Sequence, residues 1–302
     1  MFTTRWSSTF TRWIFASCLI AGLAVAGSPT AAVTGSIAVF GTSLSDPGNA
    51  YTLTGGTNAP PSYSVDAFLI PDRPYDRGGH HFTNGATWVE QYAQSVGLAA
   101  SVQPAFVGQS STATNFAVGG ARARDDGRNV NLATQVGAFL QQADGVAAPE
   151  RLYVIEMGSN DVRDALVVFA GGGNGAAVLQ AALTSIAQQI SVLYAAGARR
   201  FLIWNVPNLA LTPAIRQLDA INPGAAQLAT ALTIAFNTGL NAVLSQLSAL
   251  PGIDIRRLDA FQTLNDIVAQ PAGFGLSNVT AACIMPGTAP FTCDDPDQFL
   301  FW

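Results

Sequence analysis

The sequence predicts a three-layer α/β domain, a parallel sheet with helices on both faces. Three features point there. Short apolar runs that suit buried strands recur along the chain, and long segments with helical apolar spacing separate them. The strand runs are continuous rather than alternating, as expected for strands covered on both sides. No Pro/Ser-rich linker and no internal repeat divides the chain, so one domain over residues 35–302 accounts for it.

The elements follow in order. Residues 36–40, Ser-Ile-Ala-Val-Phe, form an apolar run stopped by Gly41 and read as the first strand. Residues 51–81 are rich in Gly, Pro, Asn and Asp and read as loop. Trp88, Tyr92 and Val96 recur at four-residue spacing and predict a helix over 84–96. Residues 152–157 predict a second strand ending at Gly158. The glycine-rich stretch 171–175 opens a long helix with Leu179, Leu183, Ile186, Ile190 and Leu193 on one face, ended by Gly197. Residues 201–206 predict a third strand stopped by Pro207. Residues 226–247 predict another helix, and 253–258 a fourth strand.

Composition excludes several chemistries. Charged residues make up 11% of the chain, under half of the roughly 25% usual in soluble domains. Every basic residue is an arginine, which removes Schiff-base, P-loop and general-base lysines. A net charge of -5 argues against a nucleic-acid partner, which wants a basic face. Three cysteines and two adjacent histidines are too few for a Cys/His zinc site. No metal or cofactor is implied.

Arg5 and Arg12 precede the apolar run 13–26, which ends in Ala24-Val25-Ala26. A basic start, a short apolar core and a small-x-small end read as a signal peptide over residues 1–26, with a secreted or extracytoplasmic product. The run is shorter than the ~20 residues a spanning helix needs, and no later stretch is read as spanning, so the mature chain is expected to carry no integral membrane segment. Cleavage removes Cys18 and leaves Cys283 and Cys293. An even pair close together in an exported protein predicts a disulfide.

In a parallel α/β sheet, ligands bind beyond the carboxyl ends of the strands. After the first strand comes Gly41-Thr42-Ser43-Leu44-Ser45-Asp46-Pro47-Gly48-Asn49, and after the second comes Gly158-Ser159-Asn160-Asp161. Between them lies Asn115-Phe116-Ala117-Val118-Gly119-Gly120-Ala121. A serine hydroxyl, glycine N–H groups and a carboxamide are the parts of an acyl-transfer site, a nucleophile plus oxyanion donors. Singly, each suits a helix cap or a tight turn; the combination at strand ends is more specific.

These three segments resemble the blocks of the GDSL esterase/lipase family, the SGNH hydrolases. The likeness runs from Ile37 to Trp302. It implies a secreted carboxylic-ester hydrolase with Ser43 as nucleophile and Gly120 N–H, Asn160 and the Ser43 N–H as oxyanion donors. Thr42 stands where the family usually has Asp. Residues 81–90 and the stretch from Leu258 through Cys283, Cys293 and Phe299-Leu300-Phe301-Trp302 resemble further parts of the family. The fifth position of the nucleophile segment is Ser45, not the Gly of an α/β-hydrolase elbow, which favours the flavodoxin-like sheet of the SGNH type. The expected partner is a small-molecule or lipid ester.

The same resemblance expects an Asp-x-x-His motif directly after Trp302, which this sequence does not include. Without that base a serine hydrolase is expected to be crippled, so the chain reads as a C-terminally incomplete esterase. His80 and His81 are the only histidines, and His81 could serve as base only if its loop folded over Ser43. Two other readings stay open: a non-catalytic ester- or glycan-binding protein on the same scaffold, and an acyltransferase using an alcohol acceptor.

Overall fold

A computed structural model of the chain describes residues 35–53, 81–83, 85–107, 112–283, 293 and 295–301. The signal-peptide reading of residues 1–26, His80 and most of the loop 51–81 lie outside the described residues. Strands β1 (Ile37–Gly41), β2 (Leu152–Glu156), β3 (Arg200–Trp204) and β4 (Asp254–Leu258) form one parallel sheet in the order β1-β2-β3-β4. Every residue of β1 and β2 is buried, which explains their apolar runs, broken only by Glu156 at the end of β2.

Side-chain alternation sorts the sheet residues into two cores. Ala38, Phe40, Tyr153, Ile155, Phe201 and Ile203 face one side; Ile37, Val39, Leu152 and Val154 face the other. Helices cover both. On the first face lie α3 (Leu132–Gln142), α4 (Ser159–Ala170), α5 (Gly175–Ala195) and α7 (Ala225–Leu247). On the second lies α2 (Trp88–Ser95), through Val89 and Ala93. The predicted three-layer α/β architecture is present.

Residues 113–118 act as a further edge beside β1. Val39 N–H donates to Thr114 O (2.9 Å), Phe116 N–H to Val39 O (2.8 Å) and Val118 N–H to Gly41 O (3.1 Å). Asn115 forms a parallel bridge with Val39. With this segment counted, the chain leaves β1 to one side for residues 113–118 and to the other for β2. The carboxyl end of β1 is therefore a topological switch point, where open α/β sheets build their sites.

Several expectations shift in detail. The helix expected from Asn84 begins at Trp88, because the Glu90 carboxylate accepts the Thr87 N–H (2.8 Å) and hydroxyl (2.7 Å) and fixes the start there. The loop expected over 51–81 begins helical, since α1 (Asn49–Leu53) runs through its first three residues. The fourth strand is not an apolar buried run: Asp254, Arg256 and Arg257 are exposed, and their charges suit the open edge of the sheet. Two helices, α5 and α7, are long and apolar enough to cross a membrane by length and composition, contrary to the expectation that no later stretch is. Each lays one apolar stripe on the sheet, with Ile186, Ile190 and Leu193 of α5 and Phe236, Leu240 and Leu244 of α7 buried there.

After α8 (Ala260–Ala269), strands β5 (Asn278–Ala282) and β6 (Phe299–Phe301) pair as a small separate sheet. Cys283 and Cys293 are disulfide-bonded, as the sequence predicts. The bridge closes a loop of separation 10 between these strands. Replacing both cysteines by serine is expected to cost about 2–3 kcal/mol, read as a lower urea midpoint at unchanged slope.

Candidate active site

Gly41 ends β1 and lets the chain turn tightly. A Cβ there would lie 3.0 Å from Ser45 Cβ, 3.1 Å from Glu156 Oε2 and 3.3 Å from Ala117 Cβ. The Gln135 amide, from α3, clasps this end: Gly41 N–H donates to Oε1 (2.9 Å) and Nε2 donates to Gly41 O (3.0 Å). Residues 42–45 form the turn, with Ser45 N–H on Thr42 O (3.1 Å). Ser43 sits on it half-buried, while Thr42 and Ser45 on either side are buried.

Buried polar side chains tie this turn to the second segment. Asp46 accepts the N–H groups of Gly48, Asn49 and Ala50, capping α1, and also Gly119 N–H (2.7 Å). Asn115 Nδ2 donates to Ser45 O (2.9 Å), and Asn49 Nδ2 donates to Asn115 O and Ala117 O (2.8 and 2.9 Å). Gly120 follows in the left-handed region at φ 79°, where a side chain would be strained. Its carbonyl accepts from the Arg122 guanidinium, which pairs with Asp164 of α4 (2.9 Å).

The third segment opens α4. Asn160 lies in the first turn, half-buried, and its Nδ2 donates to Ala121 O (2.8 Å). Next to it Asp161 is fully buried and accepts Ala123 N–H (2.8 Å) and Arg124 N–H (3.3 Å). The carboxamide of Asn160 is thus bonded to the residue after Gly120, and the turn of Ser43 is bonded to the residue before it. These bonds join all three sequence-predicted segments at one corner of the sheet. Ser43, Gly120 and Asn160 are partly exposed above a floor of fully buried polar groups: Asp46, Asn49, Asn115, Glu156 and Asp161.

The floor is electrostatically costly. Burial pushes Glu156 up to about 7 and Asp46 and Asp161 up to about 6, against the pull of the N–H and O–H donors on them. Among the described residues, no group of three or more His, Cys, Asp or Glu side chains is placed to hold a metal.

The profile of the family described as GDSL-like Lipase/Acylhydrolase matches residues 37–298. The chain belongs to this family. Among curated relatives, one GDSL esterase/lipase of Arabidopsis thaliana is 27% identical over 93% of this chain and 84% of its own length. A second from the same plant is 26% identical over 88% of this chain and 85% of its own length. Membership makes an ester hydrolase the activity class of the fold.

Within the GDSL frame, further polar side chains outside the three motif segments bond to the first of them. Glu156 and Gln135 are two of them. Trp88 is a third: its Nε1–H donates to Ser45 Oγ (2.9 Å), and its ring packs on Trp204 with centroids 4.5 Å apart. A lone acid in the apolar run 152–157 is the signal that could have found Glu156; a glutamine on a helix carries none, and Trp88 lies in the stretch 81–90 that resembles a further part of the family. His81, considered as a substitute base, is buried with Nε2 3.1 Å from Glu90, and its Nδ1 has no hydrogen-bond partner among the described residues. Its neighbour Phe82 lies so close over Gly119 that a Cβ there would meet the ring at 2.2 Å.

Proposed function

We propose that the protein hydrolyses carboxylic esters through Ser43. The observation that supports this best is the bonding of the serine turn, the Gly120 turn and the Asn160 helix start into one corner at the carboxyl end of β1 and β2. Ser43 Oγ attacks the ester carbonyl carbon. The oxyanion formed takes hydrogen bonds from the N–H groups of Ser43 and Gly120 and from the Asn160 amide, donors that strengthen as charge develops. The alkoxide leaves as the tetrahedral intermediate collapses to an acyl-serine, and water then releases the acid and regenerates Ser43.

The proton acceptor in this scheme is the His of the Asp-x-x-His motif that the family resemblance implies. Residues 1–26 direct export, so the site would meet its ester outside the cytoplasm.

Treatment of the purified full chain with a fluorophosphonate, followed by peptide mapping, is expected to show one adduct, on Ser43. An adduct on another residue moves the nucleophile. No adduct at all turns the reading toward a non-catalytic ester- or glycan-binding protein. Hydrolysis in aqueous alcohol separates the remaining alternative, because an acyltransferase would give the transesterified product in place of the acid.

A further inference from the structure

We propose that Glu156 is a positioning residue for the nucleophile, its carboxylate gripping the Ser43 turn from both sides. The inference rests on the reading of Ser43 above. Glu156 ends β2 opposite Gly41 in the parallel register and is 2% exposed. Oε2 accepts Thr42 N–H (3.0 Å) and Ser45 Oγ–H (3.2 Å), and Thr42 Oγ1 lies 3.0 Å from both carboxylate oxygens. Trp88 Nε1–H occupies a lone pair of Ser45 Oγ, which leaves the Ser45 proton to Glu156.

One carboxylate therefore holds the residue before Ser43 and the residue two after it. Thr42 N–H and Ser45 Oγ–H donate to Oε2 and the Thr42 hydroxyl lies against both oxygens, so an ionised carboxylate, which only accepts, suits the place. An amide of the same shape keeps one acceptor for Thr42 N–H and Ser45 Oγ–H but turns the Thr42 hydroxyl into an acceptor and loses the charge that strengthens these bonds. The donors are neutral, so the charge is held in a buried place without an ion pair from them. The carboxylate satisfies these donors at a desolvation cost, which an apolar residue would avoid only by leaving Thr42 N–H buried without its acceptor. The turn gains a fixed backbone. The Ser43 N–H and Oγ both hang on that backbone, and a misplacement of about 1 Å at a reacting group can cost about 100-fold in rate.

The sign of the stability effect separates positioning from simple support. The Glu156 carboxyl titrates higher in the folded chain than its ordinary value, so the folded state favours the protonated acid. The group's cost to stability grows as pH rises from the ordinary carboxylate range toward about 7 and is fully present above that. Glu156→Gln removes this cost. The full chain and its Glu156→Gln variant are compared at pH 8 by fluorophosphonate labelling of Ser43, hydrolysis of a p-nitrophenyl ester and thermal unfolding. The expected result is labelling and kcat slower by about 10- to 100-fold, KM within about twofold, and Tm equal or higher. The Thr42 pair gives a second reading if the glutamine variant does not fold: Thr42→Ser keeps the hydroxyl and should keep the rate, whereas Thr42→Val should lose it.

Equal labelling rates for the parent and Glu156→Gln overturn the inference and leave the Ser43 reading standing, as do equal rates for Thr42→Ser and Thr42→Val. A lower Tm with an unchanged rate per folded molecule overturns it too, by making Glu156 merely structural. A parent chain that labels elsewhere than Ser43 removes the nucleophile reading and this inference together.

Discussion

In a chain carrying the Asp-x-x-His motif, Ser43→Ala is expected to lower ester turnover by about 10⁴-fold or more, with KM little changed. The alanine removes the atom that forms the acyl bond and leaves the donors around it in place. Thr42 and Ser45 keep their bonds to Glu156, and Asp46 keeps Gly119, so the turn itself has no reason to move. Asn160→Ala is the informative companion. It should cost about 10²–10³-fold, the usual loss for one oxyanion donor. Initial rates on a short-chain p-nitrophenyl ester decide both. Turnover retained in Ser43→Ala would place the chemistry on another residue. Equal losses in the two variants would argue that Asn160 matters for building the loop through Ala121 O rather than for binding the oxyanion.

The legible part of the fold was the part set by burial on both faces. β1 and β2 are wholly buried, so apart from Glu156 at the end of β2 their sequences are apolar and stand out against the loops. The apolar stripes of α5 and α7 stand out for the same reason. The helices α3, α4, α6 (Pro213–Ile221) and α8 are not among the elements read from the sequence, although Leu132, Val136 and Phe139 of α3 recur at helical spacing on one buried face. The start of α4 is especially quiet, because it begins after a left-handed Gly158 without a side-chain cap. The edge formed by residues 113–118 is nearly invisible, since it pairs through isolated bonds rather than a regular ladder.

The site was half legible. Motif segments named Ser43, Gly120 and Asn160, and the three fall at one corner. Asp46 and Asn115, which join the first two segments, sit within them, but Gln135 and Glu156 were not named, because their partners lie far away in sequence and they are ordinary residue types. Gln135 on α3 reaches Gly41 across 94 positions, and Glu156 reaches Thr42 across 114. Only tertiary structure shows that a glutamine and a glutamate are buried at the same strand end.

Gly158→Ala is expected to destabilise the chain by about 3 kcal/mol or more, from strain and overpacking together. Gly158 has φ 118°, a region alanine enters only at a cost. A Cβ there would also lie 2.5 Å from Phe236 Cζ and 2.8 Å from Val206 Cγ2. Phe236 is fully buried in the core on α7, and Val206 is held by Asn237, which accepts its N–H and donates to its carbonyl (2.8 Å each). Neither can swing into solvent. Relief must come from the start of α4, which carries Asn160 and Asp161. Moving it pulls Asn160 from Ala121 O and Asp161 from Ala123 N–H, so activity should fall with stability. Gly127→Ala is the control: φ is 70° and nothing lies within 4 Å of its added Cβ, so only the left-handed cost of about 1 kcal/mol remains. Urea midpoints compare the two, and a Gly158→Ala loss no larger than that of Gly127→Ala would mean that Phe236 does not fix the start of the Asn160 helix.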